Sequence, residues 1–385
     1  MLLLDRYSAP PYGGASRVNW AGFRHWLGRG GVGLSPIVAV LAIAAGTQDL
    51  CGRDAGTQPF SYALSVQSEV VDNASGGIET GSLWDHFARL DVGLDGAAMG
   101  LPKGSRFTLA VQRVESQMPS ANRIGDAQVA SNLEAPSRGT LRTLSFELSL
   151  PDGWEGAVGL LSADESFDAV GCMGLFLNSS FGVQPTWSGN TIAPIFPTSG
   201  IGALASWSRG AWTSRSGVFQ ANPNDRSHAL SQGALLIQEV EHHAAADLKL
   251  GIWSYSPGDA LAADLPPAAW GGYVAVDRPL GEGRGAPVLF FRVGASPVRR
   301  SAVSGDLQIG VTKEGPFASR PHDQLGFGIA SADYRGRGVE TAYEATYRYV
   351  ISNYVALQPD IQYIDNPGGV HRSAVVAILR LSLSL

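Results

Sequence analysis

The chain has 385 residues, a net charge of −6, a mean hydropathy of +0.03 and only 16% charged residues, against about 25% in an average soluble domain. It is long enough for a large core, too weakly charged for a disordered chain or a general nucleic-acid binder, and free of Lys/Arg clusters with interleaved aromatics, so no nucleic-acid partner is expected. Its 48 Gly and 22 Pro call for frequent turns, which many short strands satisfy better than long helices do.

The first feature along the chain is the apolar run VGLSPIVAVLAIAAG at Val32–Gly46, which follows Arg24, His25 and Arg29 and ends in the small residues Ala42, Ala44 and Ala45. About 15 apolar residues are too few for a membrane-spanning helix but suit the apolar region of a secretory signal. Residues 1–46 are read as an export signal with an overlong start, the alternative being a buried helix of the mature fold. Residues 47–385 then form a single domain. Cys51 and Cys172 match no metal or redox spacing, which leaves open a free thiol or, in an oxidising compartment, a disulfide.

From there a period-two pattern recurs to the end of the chain. Leu90, Val92 and Leu94 alternate with Arg89, Asp91, Gly93 and Asp95; Phe107, Leu109 and Val111 with Thr108, Ala110 and Gln112; Leu144, Phe146 and Leu148 with Ser145, Glu147 and Ser149. Each such segment is a strand with one apolar face. The pattern predicts about sixteen strands, centred near residues 64, 90, 110, 145, 158, 204, 216, 236, 250, 273, 291, 308, 328, 344, 358 and 379. Between the strands near 158 and 204 lies a connection, about residues 163–198, that carries Phe167, Phe176, Phe181, Trp187, Ile192, Ile195 and Phe196. That is too apolar for a solvated tail, so it is expected to fold into an interior. Near the end, YVALQPDIQYIDNPGG at Tyr354–Gly369 alternates cleanly but holds Pro359 in its middle, where a ladder donor is missing.

Two architectures accept this many amphipathic strands. A soluble sandwich hides the apolar rows between its sheets; a transmembrane barrel turns them to lipid, lines a lumen with the polar rows and has no open edge. Strands of about 9 to 11 residues, aromatics such as Phe60, Tyr62, Phe107, Tyr349, Tyr354 and Tyr363 near the row ends, and the export signal favour an all-β, antiparallel transmembrane barrel of sixteen strands. No repeat of blade length is visible, which argues against a propeller.

Particular segments point to a family. ASGGIETG at Ala74–Gly81, FLNSSFG at Phe176–Gly182 followed by APIFPTSGIGA at Ala193–Ala203, and above all ETAYEATYRYVISNYVALQPDIQYIDNPGG at Glu340–Gly369 resemble blocks of the carbohydrate-selective outer-membrane porins of the OprB type. The similarity runs over roughly residues 60–385. It implies a sixteen-stranded barrel narrowed by an infolded loop and passive passage of sugars or similar small neutral solutes across a bacterial outer membrane, as a monomer or homotrimer embedded in lipid, without cofactor, metal or catalysis.

A sugar path needs aromatic faces for pyranose C–H groups and fixed donors and acceptors for hydroxyls, all weak in sum so that solute leaves. The polar rows offer Arg89, Asp91, Asp95, Gln112 and Glu147, whose alternative role is charge pairing in a wet lumen. The resemblance to FLNSSFG adds Phe167, Asp168, Asn178 and Phe181, whose alternative role is packing of the loop against the wall. Trp253, Tyr255 and Arg380 are candidates for an aromatic and cationic track. Glu239, Glu241, His242 and His243 look like metal ligands, but adjacent histidines on a strand point to opposite faces. Asp164 and Glu165 could serve a glycosidase, although a carboxylate pair is nearly unavoidable among 34 acidic residues. The rival readings are a secreted all-β carbohydrate-active enzyme or binding module, separable by its recovery without detergent, and a general diffusion porin.

Overall fold

Each alternating segment pairs with its chain neighbours. The strands are β1 (Phe60–Gly77), β2 (Gly81–Asp95), β3 (Ser105–Ser116), β4 (Arg138–Ser149), β5 (Trp154–Leu161), β6 (Gly200–Arg209), β7 (Trp212–Gln220) and β8 (Gly233–His243). They continue as β9 (Asp247–Pro257), β10 (Ala269–Pro279), β11 (Val288–Ala295), β12 (Val303–Glu314), β13 (Gln324–Tyr334), β14 (Gly338–Ser352), β15 (Val355–Asp365) and β16 (Arg372–Ser384). This computed structural model describes residues 59–385 apart from 227, 228, 230, 259–265 and 284. The predicted export signal and Cys51 lie outside the described residues.

All neighbouring strands run antiparallel, and β16 returns to β1, so the sheet is a closed barrel. Reciprocal backbone bonds between Leu64 and Leu385 seal the seam at one end. Every predicted strand centre falls inside an observed strand, although the strands run from 8 to 18 residues, a wider range than expected.

The two rows of each strand have opposite fates. On the outer row large apolar side chains stand free: Ile252 is 65% exposed, Leu236 and Leu144 each 53%. In water each would forgo about 1.5–3 kcal/mol of burial, whereas lipid solvates the row at no such cost. Exposed aromatics form two belts, Phe60, Tyr62, Trp154, Trp212 and Tyr354 at the end that holds both chain ends of the barrel, and Trp84, Trp270, Tyr343 and Tyr363 toward the other. The first end has short turns such as 210–211 and 353–354, and the second carries the long connections 117–137 and 162–199. Short turns mark the periplasmic side of such barrels and long loops the extracellular side.

Pro359 sits on the outer row, in register with Leu379 of β16. On its other side the β14–β15 ladder is paired at Thr346–Asp360 and again at Tyr349–Leu357 in the same register, with a lapse between. The strand therefore loses ladder pairing without a bulge. Beyond it, Asn366, Gly368 and Gly369 take positive φ in the turn to β16.

Candidate functional site

The inner rows do not enclose an empty tube. The segment 162–199 folds against them, and acceptors on the wall take up its backbone donors. Glu344 accepts from Leu177 N at 2.6 Å and Asn178 N at 3.1 Å, Asp306 from Thr186 N at 2.7 Å, and Glu239 from Asp168 N at 2.9 Å. Such bonds to otherwise unpaired N–H groups satisfy a loop that has little secondary structure of its own. Arg292 does the converse: fully buried, it lies 3.0 Å from the Asp168 carboxylate and donates to the carbonyls of Asp168, Ser180 and Gly182.

Apolar packing completes the docking. Phe176, Phe181 and Phe290 form one buried group, and Phe167, Trp187, Phe219, Trp253, Tyr255 and Tyr273 lie in another. The rings reach the wall where it is glycine: a Cβ at Gly328 would stand 2.7 Å from Phe181, and one at Gly217 2.8 Å from Phe167. Burial, opposed by Arg292, pushes the Asp168 carboxyl up to about 7, and burial pushes the free Cys172 thiol up to about 12, which keeps it protonated and unreactive.

A second segment, 117–137, docks in the same manner. Glu340 accepts from Ala127 N and Gln128 N, each at 2.8 Å, and Arg380 pairs with Glu69 at 2.7 Å while reaching Ser131 of the segment at 3.2 Å. The sequence pattern gave no notice of this segment's inward course. Its polar composition resembles any surface loop, and the partners that draw it in lie far away in the chain.

Where the long segment enters and leaves the wall, charge remains accessible. Arg89 on β2 donates to both Asp91 oxygens, at 2.7 and 2.9 Å, and to Glu165 of the segment at 2.7 Å. Arg142 on β4 donates to Glu165 at 3.1 Å, to Asp164 at 3.0 Å and to the carbonyl of Thr198 at 3.2 Å. Gln112, in register with Arg89, donates to the Pro197 carbonyl at 3.0 Å. The result is a ladder of alternating sign, Asp91, Arg89, Glu165, Arg142, Asp164. Arg89, Asp91 and Glu165 keep between 24% and 35% of their side-chain surface, enough to meet a solute. Phe87 and Phe196 meet edge to face at 6.0 Å, and the Arg142 guanidinium lies 5.9 Å over the Phe196 ring. Apolar faces and fixed hydrogen-bonding groups thus stand side by side.

Arg142 is there because of a bulge. The β3–β4 register is Ala110–Thr143 on one side and Val111–Leu141 on the other, which leaves Arg142 without an opposite residue. A bulge of this kind re-aims a side chain, and Arg142 joins Thr143 on the inner face. The sequence carries the signal: the outer apolar positions step by three from Leu141 to Leu144 and by two from Leu144 to Phe146.

The twelve predicted site residues therefore divide. Arg89 and Asp91 belong to the ladder, and Gln112 stands beside it, in register with Arg89 and bonded to the Pro197 carbonyl. Glu147 faces inward nearer the periplasmic end, accepting from Ser145 Oγ at 2.8 Å, and Asp95 accepts from Ala97 N at 2.9 Å in a turn. Phe167, Asp168, Asn178 and Phe181 are fully buried; they hold the segment to the wall, and side chains with no free surface touch no solute. Trp253 and Tyr255 are buried under the same segment, so they form no open track, and Arg380 is spent on Glu69. Asp164 and Glu165 are both tied to arginine, an arrangement unlike a free acid and base.

A second charged group lines β7 to β9: Arg215 meets Glu239 at 3.0 Å and Glu241 at 2.9 Å, with Lys249 Nζ 3.6 Å from Glu239. His242 turns outward onto Trp212, with ring centroids 4.3 Å apart, while His243 turns inward to Asp247 at 3.1 Å. The two histidines share no ion, as strand alternation requires. Glu241, His243 and Asp247 do have ligand atoms within 4.8 Å of one another, but Arg215 already neutralises Glu241.

A family model described as the carbohydrate-selective porin, OprB family, matches residues 92–385. The chain is 24% identical to Porin B of Pseudomonas aeruginosa over 397 residues, covering 84% of this chain and 87% of that protein. Among solved structures, the high-pH structure of Pseudomonas putida OprB matches with a TM-score of 0.76 and 19% identity, over 85% of this chain and 94% of that one. The low-pH structure of the same protein gives 0.60 at 16% identity, over 85% and 93%. A mutant porin of Rh. blastica gives 0.57 at 11% identity, over 85% and 100%.

Proposed function

The chain belongs to the OprB family of carbohydrate-selective porins, and on that premise we propose that the ladder Asp91, Arg89, Glu165, Arg142 and Asp164, with Phe87 and Phe196, is the constriction at which it selects sugars. The protein is a carbohydrate-selective porin of the bacterial outer membrane, a channel embedded in lipid through which solute passes. Sugars move passively down their gradient, so no cofactor and no chemical step is required.

The observation that carries the assignment is the contrast in accessibility. Many polar side chains of the inner rows are consumed in holding the two segments, whereas Arg89, Asp91 and Glu165 remain partly free at a point where loop and wall meet; Arg215, His243 and Asp247 of the second charged group keep comparable exposure. A hydroxyl can displace a contact between neighbouring charges in that ladder and give it back, since a partly exposed ion pair is worth only about 0–1 kcal/mol. That exchange provides orientation without tight retention, the condition for flux. The phenylalanines offer apolar surface to the sugar ring beside it.

The test is liposome swelling with the purified barrel, using sugars, amino acids and salts of matched size, for the native chain and for Arg89→Gln and Glu165→Gln. Sugars are expected to enter faster than size-matched amino acids, and each substitution is expected to narrow that difference. Equal rates at equal size in the native chain would instead make it a general diffusion pore. Selectivity unchanged in both variants would move the constriction elsewhere in the lumen.

A further inference from the structure

The outer face of one sector, β11 to β16, combines two features that the transport function does not use. Its extracellular turns carry five exposed arginines: Arg299 and Arg300 between β11 and β12, Arg335 and Arg337 between β13 and β14, and Arg372 at the start of β16. The turns form one surface. Arg335 donates from its backbone to Ala302 and from its side chain to Ser296 at 3.2 Å, and Gly369 lies so close to Arg337 that an added Cβ would stand 2.5 Å from its carbonyl oxygen. None of the five forms an ion pair among the described residues. Elsewhere on the same rim Arg113 and Arg123 are paired, with Glu115 and Glu79.

The second feature lies below, on the lipid side of the same strands. A groove of about 630 Å³ is lined by Phe327, Ile329, Tyr343, Ala345, Ile361 and Tyr363, among others. Its outer-row residues face the hydrocarbon layer, and its upper end approaches the turns that carry the arginines. Near the rim Asp333 and Asp365 are engaged by the hydroxyls of Ser304 and Ser373, Glu340 is buried beneath the Gly368 turn, and two exposed carboxylates against five exposed guanidinium groups leave the surface of the sector positive.

A cluster of unpaired like charges persists more readily where an anion compensates it, and guanidinium groups match phosphate oxygens in a bidentate geometry. An apolar groove directly beneath asks for a hydrocarbon chain on the same molecule. We propose that this sector docks a phosphate-bearing, multiply acylated lipid of the outer leaflet, with its phosphates on the Arg299, Arg300 and Arg337 surface and an acyl chain in the groove. The proposal rests on the outer-membrane placement of the barrel and is independent of which residues select sugar.

The experiment uses the full chain, folded and delipidated in detergent, with labelled diphosphoryl lipid A and its dephosphorylated counterpart as probes. The native protein is expected to retain the diphosphoryl form at least tenfold more strongly than the dephosphorylated one. The combined change Arg299→Gln, Arg300→Gln and Arg337→Gln is expected to abolish that preference, and Ala345→Trp, which fills the groove, to weaken retention of both forms. Heat-modifiable migration and conductance identify folded barrels in every arm, so loss of the barrel is distinguished from loss of lipid. Undiminished preference in the triple variant, or no effect of Ala345→Trp, overturns the proposal. Complete displacement of the lipid by inorganic pyrophosphate at equal concentration would do so as well, since the surface would then be a site for soluble anions.

Discussion

Arg142 donates to Glu165 at 3.1 Å although the plain alternation of β4 would turn it toward lipid. The same guanidinium spans Asp164 and the Thr198 carbonyl, so one bulged residue ties both ends of the long inner segment to the wall. Replacing Arg142 with Gln leaves Asp164 and Glu165 without their shared cation. Removing one partner of a buried pair costs about 3–5 kcal/mol, and the partial exposure of both carboxylates moves the expectation to about 2–3 kcal/mol or less. Single-channel recordings should show a larger, noisier ionic conductance than in the native chain. Arg142→Lys should recover only part of the native behaviour, because an ammonium cannot span three acceptors. An unchanged conductance in Arg142→Gln would mean that the segment is held without it.

Glu344 accepts two successive backbone donors, Leu177 N and Asn178 N, while fully enclosed by the wall and the segment. Glu344→Gln keeps the shape and leaves one carbonyl oxygen where two carboxylate oxygens stood, so one buried N–H loses its acceptor at a cost of about 1–3 kcal/mol. The barrel itself, closed by sixteen ladders, should stay folded. Limited proteolysis is expected to cut within residues 162–199 faster in the variant, with heat-modifiability preserved. Identical cleavage rates would count against the wall carboxylate as the latch.

The sequence was informative where one physical rule acts alone. Alternation located all sixteen strands and sorted inner from outer rows, because lipid on one side and packed polar groups on the other enforce a strict period of two. It also placed Arg89 and Asp91 together, two residues apart on one face. It failed where a local irregularity is decided by distant partners. Asp168 and Asn178 carry polar side chains in a loop and look available for solute; what buries them is Arg292, Glu239, Glu344 and Gln362, more than 70 residues further along the chain. Segment 117–137 escaped notice for the same reason, its anchors Glu340 and Arg380 being supplied by strands at the far end of the sequence.

Two carboxyls of that segment give the docking a pH dependence. Burial and the nearby Glu340 carboxylate push Asp126 from 3.8 up to about 8, and burial, opposed by the backbone N–H of Ser120, pushes Glu134 from 4.5 up to about 7. Both folded values lie above the unfolded ones, so between about pH 4 and 8 the native chain holds more protons than the unfolded chain. Stability from these groups is present below about pH 4 and is lost as pH rises through 7 to 8. Asn at position 126 cannot ionise. Asp126→Asn is therefore expected to unfold at the same temperature as the native chain near pH 3 and at a progressively higher one as pH rises from 5 to 9. Parallel curves across that range would show that Asp126 does not carry the dependence.

Pro359 offers a different kind of test, because two effects of similar size compete there. Pro359→Val restores a ladder donor toward β14, where pairing lapses between Thr346–Asp360 and Tyr349–Leu357. A net backbone bond contributes about 0.5–1.5 kcal/mol, and more where the alternative is an unpaired group in hydrocarbon. Against this, the loss of proline's rigidity frees the unfolded chain and costs about 0.4–1 kcal/mol. Valine also keeps an apolar side chain on the lipid-facing row, so the transfer term changes little. The lipid setting tips the balance, and the variant is expected to be more stable by about 1 kcal/mol in urea titrations of the barrel in liposomes. A variant no more stable than the native chain would mean that the lapse costs the barrel little, and that the restriction proline places on the unfolded chain outweighs the bond it removes.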